Sequence, residues 1–190
     1  MRFALAVTLL LGAGPLSATD ALKARDTEIR AALPAQGAEV APELRKKLEN
    51  LLTRSVDLDA MAQRTLGKTW DAQPKAKKNQ FLRVFRARFR SVIGGQIQGY
   101  RDSKTAFSPE VKNPDGSVQV PTTLDVKGEP TQVVYLMRPT GAGGNDWRIV
   151  DIVIDEVSTV DTYRSSFGKV VAKDGFDGLI AKLSKQVQRP

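Results

Sequence analysis

"WRIVDIVIDEVSTVDTYRSSF", residues 147–167, changes its hydrophobic pattern halfway along its length. Its first part, Ile149 to Ile154, is apolar on both faces, which is typical of a strand that is covered on both sides. Its second part begins at Ser158, and the Ser-x-x-Asp spacing to Asp161 resembles the capping box of a helix. We expect the strand to pass into the helix without a loop, with Asp155-Glu156 marking where the chain leaves the apolar interior for water. The stretch therefore predicts a fold that mixes strands and helices.

Three further strand candidates precede this stretch, and turn sequences separate them. The turns are NPDG (113–116), KGEP (127–130) and GAGGN (141–145), and the four strand candidates lie at 104–111, 117–126, 131–138 and 146–155. The candidate at 117–126 alternates apolar and more polar residues, as a half-buried antiparallel strand does. Residues 133–137 are apolar at every position, which predicts a central strand covered on both faces. The pattern indicates a mainly antiparallel sheet of about four strands.

Helical spacing of apolar residues predicts most of the remaining secondary structure. The helix candidates lie at 20–33, 42–54, 57–66, 74–100, from 158 onward, and at 174–185. The longest candidate places these residues within one arc of about 120°: Phe81, Leu82, Phe85, Phe89, Val92, Ile93 and Tyr100. Arg83 and Arg90 lie roughly opposite that arc. This helix must therefore pack one side against another apolar surface.

The N-terminus has the pattern of a cleavable secretory signal. Arg2 forms a short positive region, Phe3 to Leu11 is dominated by apolar residues, and small residues follow up to Ala18. A membrane anchor is the competing interpretation, but the apolar run is well short of the roughly 20 residues that span a bilayer. Without cysteine the chain has no disulfide and no acceptor for bacterial lipidation, which favours the periplasm of a Gram-negative cell. We expect a signal peptide at 1–18 and one domain at 19–190.

Histidine and cysteine are both absent from the sequence. Their absence excludes Ser-His-Asp and Cys-His nucleophiles, imidazole zinc sites and the usual general base at neutral pH. The sequence also has no Gly-rich phosphate loop of the G-x-x-x-x-G-K-[ST] type. The net charge of +8 could indicate nucleic-acid binding, but an exported protein rarely meets nucleic acid. The basic residues are interpreted as a solvated face, or as a surface that attracts anionic headgroups or acidic partner surfaces.

Three carboxylates near the strand-to-helix junction keep an enzymatic alternative open. Asp151, Asp155 or Glu156 could serve as an acid or base if it lay deep among apolar walls with a raised pKa. Such residues more often end a strand or orient an arginine, and Arg164 is an available partner. An acidic side chain inside an apolar cavity would favour the enzymatic alternative.

Several motifs together resemble a known family. They are the LG-x-x-W segment at Leu66, Gly67 and Trp70, the Phe-rich helix, the W-x-I-x-D segment at Trp147, Ile149 and Asp151, Val157-Ser158, the group Tyr163-Arg164 with Phe167, and Gly178-Leu179-Ile180. Across nearly the whole mature chain, the sequence resembles the toluene-tolerance, or MlaC, family of periplasmic phospholipid-binding proteins of the Mla pathway. One position departs from the family pattern, because Glu156 stands where the family usually has glycine. If that glycine has a positive φ, Glu156 is strained there or the turn differs.

The resemblance implies both a fold and a function. The fold is an NTF2-like α+β domain in which a curved, mainly antiparallel sheet and surrounding helices enclose an apolar cavity. The function is that of a non-enzymatic periplasmic carrier, which shuttles phospholipid between the inner and outer membranes and maintains outer-membrane lipid asymmetry. The implied partners are an inner-membrane MCE-protein ring with its ABC transporter and an outer-membrane lipoprotein complex. The protein would be a monomer that comes only transiently near a membrane, and it would carry phospholipid as cargo with no cofactor or metal.

The resemblance also indicates which residues would contact the lipid. The expected lipid-binding residues are Leu66, Leu82, Phe85, Phe89, Val92, Ile93, Leu124, Val134, Leu136, Ile152, Val157, Tyr163 and Phe167. Without the family, a stripe such as Phe81-Phe85-Phe89 is more often plain core than a lipid wall. A cavity of this kind could also hold another apolar lipid, such as a hopanoid, and the sequence leaves that alternative open.

Overall fold

The computed structural model describes residues 16–34, 40–141 and 146–187, except for the side chains of residues 93–99. The helices are α1 (Ala18–Ala32), α2 (Pro42–Arg54), α3 (Leu58–Leu66), α4 (Lys68–Asp71), α5 (Lys75–Asp102) and α6 (Thr159–Val187). The strands are β1 (Ser103–Phe107), β2 (Val111–Lys112), β3 (Val118–Val126), β4 (Glu129–Thr140), β5 (Asp146–Ile154) and β6 (Val157–Ser158). The predicted α+β class is confirmed. Most of the predicted leader, residues 1–15, lies outside the described residues, and Ala18 begins α1.

The described strands form one antiparallel sheet in the order β1-β3-β4-β5-β6, with β2 paired to β3 beside β1. The sheet thus has six strands rather than four. The candidate at 104–111 is two strands, because the chain leaves the ladder after Phe107 and returns only at Val111 and Lys112. A register shift between Leu136 and Met137 interrupts the β4–β5 ladder, as a β-bulge does. The central β3–β4–β5 meander corresponds to the last three predicted strands.

The prediction of a direct passage from strand to helix is wrong. Asp155 and Glu156 form a two-residue turn that joins β5 to the short strand β6, since Ile154 pairs with Val157. Both turn residues have a positive φ, 44° and 68°, as a type I′ turn requires. The Asp155 backbone N–H donates to the Gln132 carbonyl at 2.9 Å, and the Gln132 N–H donates to Asp155 Oδ1 at 3.0 Å. Because Glu156 is not a glycine, its backbone is strained at this positive φ.

The two predicted C-terminal helices both lie in α6, which is broken between them at Gly175. Gly175 has φ 72°, a value that glycine adopts at little steric cost. At the start of α6, the Asp161 N–H donates to Ser158 Oγ at 3.0 Å, which confirms the first half of the predicted capping box. α6 packs mainly against α3 and α5.

The main hydrophobic core lies between one face of the sheet and the helices. We call this face the inner face, and its buried apolar residues include Val118 and Val120 of β3, Val133 and Met137 of β4, and Ile149 of β5. All of these except Val133 pack with α1, α3, the first half of α5 and α6 in one cluster. On the opposite, outer face, Val134 and Leu136 are only half-buried. The prediction that 133–137 is fully covered on both sides is therefore wrong for this face.

Candidate functional site

The phenylalanine stripe of α5 packs against α6 as a closed aromatic layer. Phe81 has 0% and Phe85 has 3% of its surface exposed. The ring centre of Phe81 lies 5.8 Å from Phe85 and 5.9 Å from Phe167, and the Tyr163 and Phe167 rings are 5.2 Å apart. These distances are typical of attractive aromatic pairs in a packed core.

The void that remains in this layer is very small. It measures about 10 Å³ and is lined by Phe85, Phe89, Tyr163 and Phe167, together with Arg88 and Leu183. Sites for small molecules occupy roughly 300–1,000 Å³, so the void between α5 and α6 cannot receive an acyl chain. The structure brings these four predicted lipid-binding residues together, but as the packed layer behind the sheet.

A different set of apolar residues lies on the inner face beyond this packed core. The register places Tyr135 between Val120 of β3 and Ile152 of β5, and Leu124 lies further along β3. Leu124, Tyr135 and Ile152 all keep part of their surface accessible, whereas Val120 is fully buried. Accessible apolar surface on the covered side of a sheet indicates space between the sheet and the helices.

Tyr135 gives the clearest indication of that space. Burial raises the pKa of its hydroxyl to about 12, with a smaller contribution from the negative charge of Asp26, so the side chain lies deep in the protein. The side chain nevertheless retains accessible surface, and its hydroxyl makes no hydrogen bond within the described part of the chain. A buried side chain that keeps accessible surface on the inner face is available for contact with an apolar ligand. Tyr135 is therefore a candidate site residue that was not selected from the sequence.

Two of the sequence-predicted site residues lie on the other side of the sheet. Val134 and Leu136 flank Tyr135 in β4, so their side chains point away from the inner face. The register supports this, because the neighbours of Leu136 are Gln119 and Asp151, whereas those of Tyr135 are apolar. The buried residues Val133 and Met137 share the inner face with Tyr135. Because every residue of 133–137 is apolar, the sequence carried no signal that could have selected Tyr135 instead.

The remaining predicted residues differ in their placement. Leu66 is buried in the main core, Leu82 packs against that core, and Val92 is half-buried. The side chain of Ile93 lies outside the described residues. Val157 is 61% exposed at the β5–β6 hairpin, next to Glu156. Val157 therefore does not join the inner-face residues in this structure.

A polar network ties α1 to the junction of α5 and β1 near Tyr135. The Arg30 guanidinium donates to Asp26 Oδ2 at 2.9 Å, to the Ser103 carbonyl at 2.8 Å and to Thr105 Oγ1 at 2.8 Å. The Tyr100 hydroxyl donates to Asp26, and burial raises the pKa of Tyr100 well above its ordinary value. With its donors engaged, Arg30 positions α1 across the inner face.

Two of the three carboxylates near the junction, Asp151 and Asp155, have structural partners. Asp151 is 5% exposed and accepts hydrogen bonds from Ser158 Oγ at 2.7 Å and from the N–H groups of Ile152 and Val160 at 2.8 and 3.1 Å. It thus caps α6 and fixes that helix to β5. The suggestion that Arg164 pairs with these carboxylates is wrong, because its guanidinium contacts Asp161 and the Arg64 carbonyl.

The described part of the chain offers neither a cluster of metal ligands nor a membrane-spanning helix. Among residues 16–34, 40–141 and 146–187, no group of three or more acidic, histidine or cysteine side chains could hold a metal ion. In that same part of the chain, no helix is long and apolar enough to cross a membrane. The apolar inner face with Tyr135 at its centre is therefore the candidate site that the geometry supports.

Comparisons with known proteins agree with this architecture. A family model described as MlaC protein matches residues 26–185. Among solved structures, the phospholipid-binding protein from Ralstonia solanacearum in complex with a phospholipid matches with a TM-score of 0.75 and 22% sequence identity. The match covers 90% of this chain and 97% of that one, and at this identity it establishes a shared fold. Because the family model spans most of the sequence, the chain belongs to the MlaC family.

Proposed function

We propose that the protein is a non-enzymatic carrier that holds the acyl chains of a phospholipid against the inner face of its sheet. The observation that carries this proposal is Tyr135, which is deep in the protein and yet accessible beside Ile152. Membership of the MlaC family and a shared fold with a protein solved in complex with a phospholipid support it. Leu124, Tyr135 and Ile152 would form the sheet side of the cavity, and Val92 of α5 would face them.

The aromatic layer would have a supporting role in this proposal. Phe85, Phe89, Tyr163 and Phe167 would hold α5 and α6 together, so that the helices keep a fixed distance from the sheet. Leu66 and Leu82 would extend this support on α3 and α5. A rigid wall matters because a cavity that collapsed when empty would resist loading of the next lipid.

The energetics of such a cavity suit transport rather than permanent storage. Burying an acyl chain stabilises it by about 0.8 kcal/mol per methylene relative to water. The same contribution is present in a bilayer, because both environments are apolar, so most of it cancels when the lipid moves between the two. A carrier therefore needs only near-parity with the membrane in order to load and unload.

Membership of the MlaC family supports the cellular role that we propose. The carrier would work in the periplasm after loss of the predicted signal peptide, as a monomer that moves phospholipid between the inner and outer membranes. It would exchange lipid with an inner-membrane MCE-protein ring and its ABC transporter, and with an outer-membrane lipoprotein complex. This transfer would maintain the lipid asymmetry of the outer membrane.

Extraction of the purified protein tests the proposal directly. The mature protein is purified from cells and extracted with organic solvent, and the extract is analysed by mass spectrometry. We expect roughly one phospholipid per protein, since a single cavity holds a single lipid. Preparations that are repeatedly free of lipid, and that also fail to take up labelled phospholipid, would contradict the proposal. A hopanoid or another apolar lipid in the extract would replace phospholipid as the cargo.

A further inference from the structure

An arginine-lined groove lies on the surface, separate from the inner-face site. It has a volume of about 630 Å³ and lies between the end of α2, the start of α3, the middle of α5 and the ends of β4 and β5. Its lining includes four arginines, Arg54, Arg86, Arg90 and Arg148, but only two carboxylates in the described chain, Asp57 and Asp59. The groove therefore carries an excess of positive charge.

Neighbouring carboxylates hold three of these arginines in place. Arg86 binds Asp59 through two hydrogen bonds, of 2.8 and 2.5 Å, and Arg54 pairs with Glu28. Arg148 contacts Asp146, which it shares with Arg25 at 2.6 Å. Their guanidinium groups are thus positioned before any ligand binds, which reduces the entropy lost on binding.

The positive charges at this end of the groove also repel one another. Burial lowers the pKa of Arg25, and the nearby charges of Arg148 and Arg54 lower it further, although Asp146 opposes them. Burial alone would raise the pKa of Asp146, but hydrogen bonds and charge from Arg148 and Arg25 outweigh it and hold that pKa below its usual range. One carboxylate therefore serves two guanidinium groups at this end of the groove.

Arg90 is the member of the set without a counter-charge. It is exposed, lies one helical turn beyond Arg86, and forms no ion pair or hydrogen bond within the described chain. An exposed arginine on an open surface is ordinary, but this one lines a concave groove beside three preorganised guanidinium groups. We infer that the groove docks an acidic segment of a partner polypeptide, with Arg90 as the principal free contact for a carboxylate.

The distribution of charge in the groove favours a polypeptide over a membrane. The groove is an open surface depression between α2, α3, α5, β4 and β5. The charges of Asp57 and Asp59 within the lining would repel a continuous anionic surface, but a polypeptide can place its carboxylates only beside the arginines. A further cleft adjoins the groove through Arg54, and its lining carries Lys46 and Lys47 beside Glu28 and Glu43.

Two variants on the same helix test this inference. Arg90→Glu reverses the free charge in the groove, and Arg83→Glu makes the same change at an exposed position outside it. The probe is a short fluorescein-labelled Glu-Gly repeat peptide at low ionic strength, with a Gln-Gly repeat as the uncharged control. We expect Arg90→Glu to weaken binding of the acidic peptide by about tenfold or more, and Arg83→Glu by less than about twofold.

Two further measurements separate this inference from the lipid proposal and from membrane binding. Bound phospholipid per folded protein should be the same in both variants, because neither side chain reaches the inner face. Phosphatidylglycerol vesicles should not compete with the peptide for the groove. The inference is overturned if the native protein fails to bind the acidic peptide, if both variants lose affinity equally, or if the vesicles compete and Arg90→Glu abolishes their binding.

Discussion

The aromatic layer between α5 and α6 and the inner face around Tyr135 are both apolar, but they differ in what lies opposite them. In the aromatic layer, every face of Phe81 meets another ring or aliphatic group, and no surface remains exposed. On the inner face, Leu124, Tyr135 and Ile152 keep accessible surface although they lie on the covered side of the sheet. Composition therefore does not separate a core from a cavity wall; the presence or absence of a facing partner does.

The largest expected effect is in the aromatic layer. Phe81→Ala should lower the free energy of unfolding by about 3–5 kcal/mol, because it leaves a void among tightly packed rings. Leu124→Ala on the inner face should cost less than about 2 kcal/mol, since part of that side chain already borders open space. Denaturant unfolding of the two variants measures both values. Equal losses would show that the two regions are packed alike.

The next effect concerns Asp151, which joins the two regions by fixing α6 to β5. Asp151→Ala should cost about 2–4 kcal/mol, because it leaves buried N–H groups and the Ser158 hydroxyl without an acceptor. Asp161→Ala is the matched control, since that exposed carboxylate makes only surface contacts and should cost under about 1 kcal/mol. Thermal or denaturant unfolding distinguishes them, and a negligible loss at Asp151 would contradict its capping role.

A smaller effect, of opposite sign, is expected at the β5–β6 turn. Glu156→Gly should stabilise the protein by about 0.5–1 kcal/mol, because glycine adopts the positive φ of 68° without strain. The same change at Glu129, which lies in the extended strand β4, should be neutral or destabilising. Paired denaturation curves give both values. If Glu156→Gly destabilises the protein, the turn is not strained as described.

The smallest effect near neutral pH is the ionisation of Tyr135, because it occurs only in alkaline solution. Its pKa is raised to about 12, so the neutral hydroxyl favours folding fully below the ordinary tyrosine pKa near 10, and this contribution disappears as the pH rises through 12. Absorbance titration of tyrosinate should show a late step that Tyr135→Phe removes. The step should persist in Tyr163→Phe, which removes a tyrosine of the aromatic layer instead. A titration of Tyr135 near pH 10 would place its hydroxyl in bulk water.

Much of the architecture could be predicted from local sequence. Pro42 and the leucine spacing predicted α2 with the bounds that the structure has, and alternation predicted β3 within one residue. The turn at Asp155-Glu156 was missed because a positive φ is sterically unfavourable for glutamate, and the sequence has no glycine there to indicate it. The local sequence pattern predicts an element correctly where the intrinsic propensity of its residues agrees with the conformation that the tertiary structure requires.

The candidate site was harder to predict, for two physical reasons. Residues 133–137 are all apolar, so their pattern does not show which alternate side chains face inward. For this reason the sequence pointed to Val134 instead of Tyr135. The arginine-lined groove brings together residues from α2, α5 and β5 that are far apart in sequence. Such a convergence depends on tertiary packing and not on spacing along the chain.

Two adjacent residues of β5 provide the most direct test of the central claim, which is that lipid lies against the inner face. Ile152 pairs with Tyr135 on the inner face, whereas Val153 pairs with Val134 on the outer face. Each is replaced by tryptophan, and bound phospholipid per folded protein is measured by mass spectrometry at matched circular dichroism. We predict that Ile152→Trp loses most of its lipid because the indole fills the cavity, while Val153→Trp keeps its lipid. Full lipid in folded Ile152→Trp, or its loss only from folded Val153→Trp, would contradict the account.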